Sequence, residues 1–180
     1  RWPVTAQGRS LFWAGLNKGK KSVAVNLQTE AGRELVTRIG TAPGPDAGLF
    51  LTNLRVRGWM DYPTLSSIRP DLVMVTLLGD RHGRPQVDYT VNPAVGFPDA
   101  TGPEAGAKPA AHALPPWVGM AGNMAGGALL AAGRHRLRTG IGQEVVFSLK
   151  DAAAAMLGNL GIIGEVCVNG VDRPKSGNAL

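Results

Sequence analysis

Apolar positions in this chain fall into blocks of two kinds. Residues 47–52 (AGLFLT) and 71–78 (DLVMVTLL) are short, near-continuous apolar runs, the pattern of parallel strands buried on both faces. Residues 23–27 (VAVNL) read as a further short strand. Between these runs the spacing turns helical. Leu35, Val36 and Ile39 mark one face of a helix over residues 30–39, with Thr29 placed to cap it and Pro43-Gly44-Pro45 to break it. Residues 58–68 read as a short helix. Strands alternating with helices predict an α/β fold, a Rossmann-like parallel sheet with flanking helices. Ligands of such sheets bind at the carboxyl ends of the strands, which makes Asn53-Leu54-Arg55 and Gly79-Asp80-Arg81 a candidate rim.

The longest patterned stretch is residues 114–157. Pro115 and Pro116 suit the entry to a helix. Met120, Met124, Leu129 and Leu130 then fall near one stripe. Gly122, Gly126 and Gly127 each weaken a helix by about 1 kcal/mol relative to Ala, so something is expected to approach the backbone there. Arg134, His135, Arg136 and Arg138 crowd the last turn, where cations meet the negative end of the helix dipole. A solvated helix end is the favoured reading of that cluster. Gly140 and Gly142 stop the helix, and a short strand and a second helix follow. The first turn of such a helix offers free N–H groups and is the natural place for a carboxylate. Val118 stands there.

The remaining segments are irregular in pattern. The first fifteen residues show no period, with Trp2, Phe12 and Trp13 as packing anchors. Residues 80–116 are rich in Gly, Pro and Ala, with two turns of helix around 87–95 and a loop by punctuation at 96–103. A connection of this length is usually functional or poorly ordered.

Composition narrows the partner more than the fold. The 180 residues carry 19 Lys and Arg against 13 Asp and Glu, a formal charge of +6, which fits an anionic partner. The single Cys167 rules out an intramolecular disulfide and fits a reducing compartment, with a buried position expected for it. No run approaches the roughly 20 apolar residues of a membrane span.

Candidate chemistry is sparse. GLNKGKKS (residues 15–22) invites a phosphate-loop reading, but only three residues separate Gly15 from Gly19 and the loop precedes a strand instead of following one. Lys18, Lys20 and Lys21 nevertheless lie together, and lysine serves phosphate as a point charge. Neither a dinucleotide fingerprint nor a Gly-x-Ser-x-Gly elbow is present. His82, His112 and His135 lack ligand spacing, so no metal site is expected. No aromatic platform is interleaved with the arginines, which argues against nucleic acid. Asp88, Asp99 and Glu104 are the acids nearest the long helix in sequence; capping its own helix is the ordinary job for Asp88.

Several of these segments occur together in one family. Asn17-Lys18-Gly19-Lys20-Lys21-Ser22 before a strand, Thr52-Asn53 after the next, and Arg138-Thr139-Gly140-Ile141-Gly142-Gln143 followed by Ser148-Leu149-Lys150-Asp151-Ala152 resemble family III CoA-transferases. The resemblance runs through all 180 residues in order. It implies a partial large, CoA-binding domain over residues 1–180, without the family's N-terminal strand–helix unit and C-terminal smaller domain. It implies an interlocked homodimer for the full-length protein, a cytoplasmic setting, and no nucleic-acid or membrane partner. The substrate it implies is a short dicarboxylic acyl-CoA, with CoA moved between the two carboxyls of one mesaconyl group. Coenzyme A enters as part of that substrate and no cofactor is bound permanently. In the family an aspartate attacks the thioester and carries the acyl group, then CoA, through covalent steps. Carried over by position, Leu16, Asn17, Lys20 and Lys21 meet the adenine and phosphates of CoA, and Asn53 and Arg57 lie along its arm. The nucleophile follows Trp117, and that residue is Val118. The expectation is a CoA-transferase fold that is inactive as it stands, or a non-catalytic acyl-CoA-binding homologue.

Overall fold

The computed structural model describes residues 2–103, 108–175 and 177. The chain divides into two compact units, Arg1–Val36 and Thr37–Leu180. Glu104 lies outside the described residues.

In the first unit the opening segment is more regular than its pattern implied. Ser10 accepts a hydrogen bond from the Trp13 N–H at 3.1 Å and so caps α1 (Leu11–Leu16). Residues 23–27, read as a strand, join no ladder among the described residues. Val23 and Val25 favour extended backbone, but a strand exists only where another edge supplies hydrogen bonds. The start of α2 (Glu30–Gly40) follows its signals. Asn26 Oδ1 accepts from the Gln28 N–H, and Thr29 Oγ1 accepts from the Gly32 N–H at 3.1 Å.

The second unit is built on a parallel sheet of β1 (Leu49–Thr52), β2 (Val73–Leu78) and β3 (Gln143–Ser148), in the order β1-β2-β3. Leu49 pairs with Val73, and Val73 with Gln143. The central strand is buried as its run predicts, with Val73, Met74, Val75 and Thr76 all at 0% exposure. β1 differs from expectation. As an edge strand it leaves Leu49 and Leu51 about half exposed, despite a sequence as apolar as that of β2.

Alternation of side chains divides the core in two. Phe50 and Met74, register partners, face one side with Leu72, Leu65 and Tyr62; the last two belong to α3 (Tyr62–Ile68). Leu77 and Phe147, also partners, face the other. There they meet Val91 of α4 (Asp88–Ala94), Trp117 and Ala121 of α6 (Pro116–Thr139), and Leu149, Ala153 and Leu157 of α7 (Leu149–Asn159). Between α4 and α6, residues read as a loop contain the short helix α5 (Phe97–Ala100). The last element is α8 (Ile162–Asn169), where Cys167 is exposed, not buried as expected.

The long helix α6 runs antiparallel to the strands. Its start packs against Leu77 and Phe147 near the carboxyl edge, while Gly133 touches Leu49 at the opposite edge. Its buried face matches the Met and Leu stripe only in part, through Met120 packed against the core. Trp117, Ala121, Ala125, Ala132 and Arg136 are buried, while Met124 and Leu130 face outward. Between Trp117 and Arg136 the buried positions are all alanine, which lets the middle of the helix lie against the sheet. Gly122, Gly126 and Gly127 have open space beside them, so nothing described in the chain uses the approach they permit. Gly142 does have a packing reason, because a Cβ there would run into the backbone of Leu72. Gly140 takes a left-handed cap conformation with φ of 73°.

Arg136, read as part of a solvated helix end, is 7% exposed. Its guanidinium donates to the carbonyls of Ala47 (2.7 Å), Gly48 (3.2 Å) and Pro45 (2.8 Å). Arg69 donates to the carbonyls of Ala42 and Gly44 and pairs with Asp71 at 2.8 Å. Two arginines thus satisfy the loop that feeds β1, a role that only planar, multi-donor side chains fill well.

Candidate active site

At the carboxyl edge of the sheet, α6 begins with Pro116, which has no N–H to lose, then Trp117 and Val118. Pro115, at the cap position, has no side-chain hydrogen bond to offer. The two exposed backbone donors are taken instead by a carboxylate from another helix. Asp88 Oδ2 accepts from the Trp117 N–H at 2.9 Å and from the Val118 N–H at 3.1 Å. Asp88 is 6% exposed and sits in the first turn of α4. The acid expected to cap its own helix therefore caps the long one, where its charge meets the positive end of the helix dipole.

Around this contact the packing is aromatic and polar together. The Trp117 indole N–H donates to Asn92 Oδ1 at 2.9 Å. The Phe97 ring stands edge-on to Trp117 with centroids 5.4 Å apart, and the His112 ring lies 4.4 Å from Phe97 and 5.8 Å from Trp117. Val118 itself turns outward, at 47% exposure. A side chain at this position therefore stands at the mouth of the site. A valine there has no atom that can attack, accept a proton or carry an acyl group.

The rest of the rim is held by short-range bonds. Asp80 accepts from the His82 and Arg84 N–H groups and pairs with Arg84 at 2.6 Å. Arg81 pairs with Asp151 at 2.6 Å, and Asp151 also accepts from Ser148 Oγ at 2.8 Å. The Arg81 guanidinium, then the Ser148 hydroxyl, hold the Asp151 carboxyl below its ordinary range. Asn53 follows β1 directly, exposed. Arg57 is exposed at the tip of a turn bridged by Val56 and Met60. Asp61 anchors that turn by accepting from the Gly58 N–H at 2.7 Å and caps α3 through the Thr64 N–H at 3.0 Å. Its carboxyl is pulled low by Thr64, then by the Gly58 N–H.

The other predicted contact residues lie in the first unit. Lys20 Nζ folds back to donate to the Leu16 carbonyl at 2.8 Å and to Asn17 Oδ1 at 3.4 Å, closing the end of α1. Asn17 Nδ2 donates to the Trp13 carbonyl. Leu16, Asn17 and Lys20 therefore close one local turn, with Lys18 and Lys21 exposed beside it. Asp99 is exposed in α5, where it lines a cavity with Val95, Ile162 and Arg173. Among the described residues no cluster of His, Cys, Asp and Glu is arranged to hold a metal ion.

The model of CoA-transferase family III matches residues 1–180. The chain belongs to that family. Within it, 2-methylfumaryl-CoA isomerase of Chloroflexus aurantiacus is 52% identical over 181 residues, covering 100% of this chain and 44% of the relative. Succinyl-CoA–D-citramalate CoA-transferase of the same organism is 26% identical over 189 residues, covering 97% of this chain and 44% of its own length. A solved CaiB/BaiF family protein from Brucella suis superposes with a TM-score of 0.82 at 26% identity, over 96% of this chain and 46% of that one. The chain thus spans less than half the length of the relatives it matches. Among its described residues no single helix is long and apolar enough to cross a membrane.

Asp88, which caps the head of α6, and Arg136, which fixes the far end of that helix, were not assigned these contacts from sequence. Asp88 was read as a local cap, and Arg136 as surface charge. The Asp88 contact spans 30 positions and no local pattern encodes it.

Proposed function

We propose that this chain is the CoA-binding part of a large domain from an enzyme that moves CoA between the two carboxyls of a mesaconyl (2-methylfumaryl) group, and that the chain as written does not turn over. The 52% identity to a 2-methylfumaryl-CoA isomerase supports the substrate. The interlocked dimer of the full-length family belongs to the same reading.

In this mechanism the nucleophile position is the third residue of α6. A carboxylate there attacks the thioester carbonyl and expels the CoA thiolate, giving a mixed anhydride. The thiolate then attacks the enzyme's acyl carbon, releasing the free acid and leaving an aspartyl-CoA thioester. Reversal onto the other carboxyl of the same acid completes an isomerisation. The basic turn at Leu16–Lys21 receives the adenine and phosphates, and Asn53 and Arg57 lie along the arm.

The observation that carries the inactive reading is the outward-facing Val118 at the head of α6. Asp88 does not replace it. Its carboxylate is buried, and one oxygen is committed to two N–H donors that hold α6 in place. Catalytic groups tolerate displacement of only about 0.5 Å. The same observation favours the second reading, a homologue that binds acyl-CoA without acyl exchange. Val118→Asp in the complete polypeptide tests both. Gain of a covalent thioester with mesaconyl-CoA supports the transferase reading, and CoA binding with no adduct in either form supports the binding homologue.

A further inference from the structure

The last turns of α6 carry an open groove of about 430 Å³, lined by Ala131, Arg134, His135, Arg138 and Thr139. Their spacing puts these residues on one flank of the helix. The flank lies at the amino edge of the sheet, where Gly133 touches Leu49, at the opposite end of α6 from Val118. No acid lines the groove. Arg134, His135 and Arg138 are exposed, and their side chains make no ion pair or hydrogen bond among the described residues. Elsewhere arginines are matched to acids: Arg81 to Asp151, Arg84 to Asp80, Arg173 to Glu165. Asp71, which approaches Arg136 to 3.9 Å, is taken by Arg69 at 2.8 Å.

The helix dipole favours positive charge in the last turn, and Arg136 already supplies it there. It does not account for Arg134 and Arg138, like charges four residues apart on one flank that repel each other. A ligand that relieves this repulsion is an anion of more than one charge. Two guanidinium forks beside an imidazole match a phosphate monoester, which carries about −1.5 to −2 charges at neutral pH and three acceptor oxygens. Thr139 is spent on the helix end, where its hydroxyl donates to the His135 carbonyl at 2.8 Å and accepts from the Ile141 N–H at 3.2 Å. The two guanidiniums and the imidazole are the donors left. The volume lies within the range of small-molecule sites, about 300–1,000 Å³. Ala131 is the only apolar lining residue, which suits a polar organic part, and no aromatic ring is there to stack a base. We propose that this groove binds the phosphate monoester of a small polar alcohol, at a site separate from the one proposed for CoA. The inference stands independently of the CoA reading.

Glycerol 3-phosphate is the probe, titrated into the complete polypeptide while the Arg134 and Arg138 Nε–H and the His135 ring resonances are followed. These should shift saturably, and glycerol should move none of them. Arg134→Gln and Arg138→Gln should each weaken binding, by up to about fivefold for a charge pair at an exposed site, and the double variant should not saturate. Arg134→Lys, which keeps the charge and loses the fork, should fall between Arg134→Gln and the unaltered chain. Both arginines are exposed and unpaired, so the urea midpoint of the double variant should not fall. Dephospho-CoA, which has no phosphate monoester, should leave the shifts in place; displacement by it would overturn a separate site. No saturable shift, or undiminished affinity in the double variant, overturns the proposal. A response to phosphatidic acid vesicles with none to glycerol 3-phosphate would place the group on a lipid and overturn the soluble ligand.

Discussion

The backbone N–H of Val118 donates to the buried carboxylate of Asp88 at 3.1 Å, so the head of α6 is anchored by an acid from a different helix. The neighbouring Trp117 N–H shares the same oxygen at 2.9 Å. Asp88→Ala leaves both donors without a partner in a largely dry site. We predict a loss of roughly 2–3 kcal/mol in urea unfolding, and a smaller loss for Asp88→Asn, which keeps an acceptor but not the charge. Equal stability of Asp88→Ala and the unaltered chain would contradict this role.

Arg136 makes a comparable prediction at the other end of α6. Its three carbonyl acceptors, on Pro45, Ala47 and Gly48, all lie in the loop that leads into β1. Arg136→Ala should cost about 2–4 kcal/mol, and Arg136→Lys should recover only part of it, because one ammonium cannot match a planar fork. Hydrogen exchange should locate the loosening at β1 and the preceding loop. Arg134→Ala, an exposed neighbour, serves as the control with little change.

These two contacts show what was legible in the sequence. β2, α2 and the path from α6 through β3 to α7 follow from local signals, because run length, caps and stop glycines act within a few residues. Edge position is not local: the runs containing β1 and β2 look alike, but only one has neighbours on both sides. Residues 23–27 show the same limit, since extended propensity does not supply a pairing edge. On α6 the larger apolar residues marked the buried face only in part: Met120 packs on the core, whereas alanines fill the positions against the sheet and Met124 and Leu130 turn outward. That Val118 falls in the first turn of the long helix was readable from Pro115 and Pro116 before it, whereas the carboxylate beneath it comes from a contact of long separation.

Acid sensitivity should follow Asp71. The Arg69 side chain, hydrogen-bonded at 2.8 Å, holds the Asp71 carboxyl below its ordinary value, with Arg136 adding to the pull. A carboxyl lowered in the folded state stabilises that state above its unfolded pKa, near 3.9, and the contribution disappears as pH falls through the lower folded value. Asp71→Asn should therefore be less stable than the unaltered chain at neutral pH, and the gap should close as pH falls through the lowered folded value. A gap that widens on acidification would contradict the pairing.

The lysine turn predicts a salt-dependent effect. Lys20→Ala with Lys21→Ala should weaken CoA binding by about tenfold at low ionic strength, with the difference shrinking as salt screens the phosphates. Isothermal titration at two salt concentrations measures it. Because Lys20 also closes the end of α1, circular dichroism of the variant should be recorded alongside.

The central claim is that the frame of a family III site is present and its nucleophile is not. Intact-mass spectrometry after incubation with mesaconyl-CoA tests it most directly, on the complete polypeptide and its Val118→Asp variant. The unaltered chain should keep its own mass, and the variant should gain a CoA thioester that hydroxylamine removes. A covalent adduct on the unaltered chain, with Val118 confirmed by peptide sequencing, would contradict the account.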